Sequence, residues 1–175
     1  MATEKKNIWF YSSPDGTAPP VKNYQMTASQ GIFMPGAPVY MHADGTVSRV
    51  LTDGQTILGY VVGVVDTSKA WPLTAELAVN DEVRVAIVRQ DDIYAGFADA
   101  DGVDNTVAQT MVGDVICCTV DTTAGKLGYT TVNTAAIDAP FFRVVDLMFN
   151  VSPEKHALAN NPGILLVKHI GTLHG

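Results

Sequence analysis

Three features of the sequence predict an all-β chain folded as a barrel or a sandwich. Short runs rich in Val, Ile and Tyr recur about every eight to twelve residues. Asp-Gly and other Gly-containing turns separate them, and helical periodicity is almost absent. At 175 residues the chain suits one domain, or one domain with an appended arm, and can bury a sizeable core without disulfide staples.

Residues 1–27 read as an extended arm. The stretch "SSPDGTAPPVKNYQ" holds a Pro-Pro pair and an Asp-Gly turn signal and shows neither helical nor alternating periodicity. Inside the arm, "NIWFY" is aromatic, which a solvated tail does not need. Its side chains are expected to dock, either on the chain's own barrel or on a neighbouring subunit. Residues 28–175 then read as the β domain.

The domain opens with the runs "PVYMH" and "TVSRV" on either side of an Ala-Asp-Gly turn, a strong local hairpin signal. "TILGYVVGVVDTS" follows. Its β-branched residues favour a pleated strand over a helix. The apolar run 57–65 is far shorter than the roughly 20 residues of a membrane-spanning helix, so Gly59 and Gly63 are not a transmembrane helix seam. Nor do they form a phosphate loop, because no Gly-Lys-Ser/Thr ending follows. They are expected to share one face of a buried strand, where it bends or another backbone comes close.

Beyond a polar "VNDE" turn, "EVRVAIV" alternates, with Val83, Val85 and Ile87 on one side and Arg84 on the other. "DIYAGFAD" reads as a further strand, residues 106–132 as a strand pair around "TTAGK", "FFRVVDLMFN" as another strand, and "ILLVKHIGTLHG" as the closing one. The one helical cue is "SPEKHALANNPG", where Ser152 caps, Pro153 occupies the first turn, and Asn160 to Gly163 stop a helix of little more than two turns.

The formal net charge of −7 repels polyanions, and the 11 Lys and Arg residues are dispersed, so no nucleic-acid partner is expected. No membrane association is expected either, and the absence of an apolar leader predicts folding in a reducing cytoplasm. Cys117 and Cys118 are adjacent, which in a strand sends them to opposite faces, and neither a mutual disulfide nor a Cys-x-x-Cys metal or redox pair is expected.

Candidate chemistry is sparse. "DADGVDN" gathers Asp99, Asp101, Asp104 and Asn105, but Thr110 stands where a calcium loop needs its bidentate glutamate, so the stretch reads as a solvated acidic turn. His42, His156, His169 and His174 never fall at the i, i+4 spacing of a helical zinc pair, and His42, beside a hairpin turn, is expected to be exposed. Asp91 and Asp92 read as a polar turn. No catalytic residue, cofactor or metal site is expected. Charged residues make up 17% of the chain, against about a quarter in an average soluble domain. Such a deficit points to apolar area covered by other subunits.

"GIFMPGAPVYMHADGTVSRV" followed by "ILGYVVGVVD" resembles the head decoration, or capsid cement, proteins of tailed bacteriophages. The resemblance is detailed over residues 28–66 and rests on β-rich character beyond them. It implies a small β-barrel or β-tulip-like domain with an extended N-terminal arm and at most one or two short helices. It further implies a structural, non-enzymatic virion protein, a homotrimer on the outer capsid surface that stabilises the major capsid protein lattice. On that reading Trp9, Phe10 and Tyr11 contact the capsid or a neighbouring subunit, and deleting residues 1–25 weakens attachment while leaving the barrel folded. Two alternatives stand beside it. One is another β-rich virion module of the tail or head-completion kind; the other is a carbohydrate-binding β-barrel with Trp9, Trp71 or Tyr94 as stacking platforms.

Overall fold

The computed structural model describes residues 8–27, 36–50, 56–66, 68, 77–78, 80–100, 103–104, 109–121, 129–133, 142–148 and 164–170. They form two largely antiparallel sheets and, as their helical component, one 3-10 turn, Gln109–Met111. The helix expected at 152–163, Trp71, Asp101, Asn105, His156 and His174 lie outside the described residues.

The smaller sheet has the order β2-β6-β5-β3-β4, with β2 at Val21–Gln25, β3 at Pro38–Met41, β4 at Val47–Arg49, β5 at Gly59–Val64 and β6 at Glu82–Ile87. The hairpin read from the Asp-Gly signal is β3–β4, paired from Val39 with Arg49 to Met41 with Val47. His42 N–H donates to the Thr46 carbonyl at 2.8 Å, and Gly45 takes φ +84°, a left-handed turn conformation that glycine adopts without strain. The Asp44 carboxylate accepts from the Thr46 N–H and hydroxyl, an Asx turn that pins the loop. The sheet's two edges approach each other, because Met26, just beyond β2, bridges to Val47 of β4. Thr27 N–H also donates to the Val47 carbonyl.

The larger sheet runs β1-β7-β10-β9-β11-β12, with β8 appended to β7. Its strands are β1 (Trp9–Ser12), β7 (Ile93–Ala100), β8 (Val103–Asp104), β9 (Val115–Asp121), β10 (Tyr129–Asn133), β11 (Phe142–Leu147) and β12 (Ile164–His169). The pair expected around "TTAGK" is β9–β10, joined from Asp121 with Tyr129 to Cys117 with Asn133. β10 meets the end of β7 in parallel, while β12 lies antiparallel along the first half of β7.

The described residues thus make two sheets and not one closed barrel. The reason lies in β5 and β6, which bury side chains on both faces. Val61, Val83 and Val85 join Met26, Val39, Val47, Leu58 and Leu77 in a core within the smaller sheet. Tyr60, one residue away, points to the opposite face and joins Tyr94, Ile116, Phe142, Val144, Leu165 and Val167 in a second core shared with the larger sheet. A strand buried on both faces needs a layer on each side, and the larger sheet supplies the second one.

Pairing also corrects the expectation that Gly59 and Gly63 share a face. Directly opposed residues project to the same side, and β5 pairs Gly59 with Ile87, Tyr60 with Ala86 and Val61 with Val85. The register then slips, so that Gly63 opposes Arg84 and Val64 opposes Val83. Val62 is the additional residue of a β-bulge, and it shifts Gly63 onto the face of Tyr60 and Arg84. The expected close approach does occur at Gly59, where an added Cβ would collide with the Ala86 carbonyl oxygen.

Candidate functional site

The segment read as an arm takes part in both sheets. β1 is the outer strand of the larger sheet, pairing Trp9 with Ala95 and Phe10 with Tyr94. β2 is one of the two outer strands of the smaller one, pairing Val21 with Ala86 and Tyr24 with Val83. Ile8 is fully buried in the shared core, and Phe10 packs edge-on against Tyr94 with ring centroids 6.1 Å apart. Trp9 is half-buried and Tyr11 exposed. Truncation to residue 25 therefore removes a core side chain and an outer strand from each sheet. Point substitutions at exposed positions are the cleaner probe of docking.

An arginine latch ties the turn between β1 and β2 to the β6–β7 connection. Arg89 Nε donates to Asp92 Oδ2 at 2.9 Å, and its terminal nitrogens donate to the Thr17 hydroxyl at 2.8 Å and the Thr17 carbonyl at 2.7 Å. Asp15 lies 3.5 Å from the same guanidinium. Its carboxyl is held well below the usual range, chiefly because it accepts from the Thr17 N–H and from the Ser13 and Thr17 hydroxyls. Asp92, expected in a polar turn, is buried. Arg89→Ala is expected to leave that carboxylate without its cation and to release residues 13–20. Limited proteolysis read by mass spectrometry should show faster cleavage there, and an unchanged cleavage rate would refute the latch.

Deeper in the seam between the sheets, Tyr60 Oη and His169 Nε2 share a 2.7 Å hydrogen bond. His169, which lacks the spacing of a helical zinc pair, is 6% exposed. The Phe142 ring is centred 4.7 Å from it and the Tyr94 ring 5.4 Å. Burial pushes the imidazole down to about 3, so it is neutral around pH 7. Burial likewise pushes the Tyr94 phenol up, with the nearby Asp92 carboxylate acting in the same direction. These groups are positioned to hold two sheets together: their polar atoms face one another and their rings fill the core.

The other positions singled out in the sequence disperse. His42 is partly buried instead of exposed, its Nε2 2.7 Å from the Ser48 hydroxyl. Asp99 and Asp104 are opposed in β7–β8, and among the described residues no three His, Cys, Asp or Glu side chains are grouped to hold a metal ion. Tyr94 is fully buried and so is excluded as a sugar-stacking platform. No helix among the described residues is long and apolar enough to cross a membrane.

What the seam does offer the solvent is an apolar pocket of about 250 Å³, walled by Trp9 and Phe10 on one side and by Tyr60, Val62 and Ala86 on the other. Its signal in the sequence was the aromatic "WFY" within a proline-flanked stretch; the bulge that brings Val62 to its rim had none. The chain matches no family model, no curated protein and no solved structure.

Proposed function

We propose that this chain is a structural virion protein that assembles as a homotrimer on the outer surface of a tailed-bacteriophage head and stabilises the major capsid protein lattice. The observation that supports this reading best is the placement of the N-terminal segment, which supplies an outer strand to each sheet and carries exposed apolar side chains at Tyr11 and Val21. Outer strands with apolar side chains suit attachment to an extended segment of a partner. The low charged fraction and the net charge of −7 suit a surface that is partly covered by protein and kept away from packaged nucleic acid. In this reading the smaller sheet, whose edges meet at Met26 and Val47, serves as the barrel-like body. Three copies would convert weak single contacts into firm attachment.

The test is to mix the purified protein with undecorated heads and image the particles. Added density repeating at three-fold or quasi-three-fold positions is expected, together with heads that withstand heating better. Bare heads at saturating protein would end the proposal. Tyr11→Lys should weaken attachment, with circular dichroism unchanged.

A further inference from the structure

The pairing registers define an apolar patch on the face of the smaller sheet that the larger sheet covers only in part. Residues directly opposed across β5, β6 and β2 form rows on one face: Tyr60, Ala86 and Val21 in the first, Gly63, Arg84 and Asn23 in the second. Tyr60 and Ala86 are buried, but Val21, at the outer end of its row, is 45% exposed. The bulge adds Val62, also 45% exposed, to the rim of the pocket that Trp9 and Phe10 wall. Beside it stands the exposed Arg84, whose side chain lies across Gly63, with Cδ 3.7 Å from where a Cβ would be. Two branched aliphatic side chains, a pocket and a cation thus occupy one face.

Bulges commonly break up a strand edge. Here the bulge turns a valine outward from a strand whose neighbours are buried, at a cost in water exposure that a covering surface would recover. We propose that the covering surface is a second copy of this chain, docked over Val62 and Val21 with one of its carboxylates against Arg84. Charge complementarity favours that occupant. The patch carries a cation, whereas the chain has 18 Asp and Glu against 11 Lys and Arg, so its own surface is rich in the required counter-charge. The inference rests on the homo-oligomeric reading above and names the surface that would mediate it. A stable contact needs about 800 Å² from each partner, so the patch acts as the apolar centre of a wider polar rim.

Light scattering after size exclusion tests it on the full-length protein. Wild type is expected to elute as an oligomer, Val62→Asp as a monomer, and Arg84→Glu with a dissociation constant raised at least tenfold. Lys22→Glu is the control: Lys22 opposes Val85 and so projects from the other face of the same sheet, and this variant should match wild type. Circular dichroism and thermal melting establish that each variant is folded; should Val62→Asp be unfolded, Val62→Thr with Val21→Thr replaces it and is expected to shift the equilibrium toward monomer. A wild type that is monomeric at high concentration overturns the homo-oligomeric reading and this inference together. An oligomeric wild type whose folded Val62 and Arg84 variants keep its mass overturns the inference alone.

Discussion

Acidification from pH 7 to 4.5 is expected to destabilise the fold by about 2 to 3 kcal/mol through His169 alone. The imidazole is sealed between Tyr60, Tyr94 and Phe142, and burial pushes it down to about 3. The same group in the unfolded chain titrates near 6.5. Below about 6.5 the unfolded chain therefore binds a proton that the native protein refuses. Stability is whole above that value and is lost as pH falls toward 3, by about 1.4 kcal/mol for each pH unit. Denaturant midpoints measured between pH 7 and 4 read the effect directly. The His169→Gln variant can still hydrogen-bond the Tyr60 hydroxyl but does not titrate, so its profile should be flatter than wild type by about that amount. Equal slopes in the two proteins would mean that His169 is not the group that couples protons to folding.

The second large effect is expected from one methyl group. Gly59→Ala places a Cβ against the Ala86 carbonyl, and that atom belongs to the backbone of a strand buried in the sheet interior, so it cannot swing aside as a flexible side chain would. Forcing the strands apart costs about 1 to 3 kcal/mol, the range seen when a packed core is overfilled. Gly63→Ala is the matched comparison. Its nearest neighbour is Cδ of the flexible Arg84 side chain, in ordinary van der Waals contact at 3.7 Å, so a change within about 0.5 kcal/mol is expected. Thermal melting of the two variants decides the point, and equal losses would refute the assigned register and the bulge at Val62.

The contrast between these glycines shows what local pattern reports. Both lie in one valine-rich run, and sequence spacing alone sets them on the same face. The bulge breaks that parity, and nothing in "GYVVGVVD" announces it, because an added residue is defined by the strand opposite and not by its own neighbours. The β3–β4 hairpin and the alternation of Val83, Val85 and Ile87 against Arg84 were legible, since turn chemistry and period-two burial are encoded over a few residues. His169 was not. Its partner Tyr60 is 109 positions away, and a histidine in an apolar terminal strand carries no mark of which side will be covered. The same holds for Arg89, whose bonds to Thr17 span 72 positions, and for Asp92, which by local composition belongs to a solvated turn.

The N-terminal segment joins the two kinds of information. Its prolines and its aromatic triplet set it apart in the sequence as extended and in need of contact. Tertiary structure alone divided it between two sheets, sending Ile8 and Phe10 inward and leaving Tyr11 and Val21 facing out. By itself the sequence determined the class of fold, the positions of several turns and the excess of apolar over charged residues, because these follow from composition and from intervals of a few residues. The layering into two sheets, the buried Tyr60–His169 bond and the patch at Val62 and Arg84 were decided only in three dimensions, where strands distant in the chain select each other's register and hence which side chains are shielded from water.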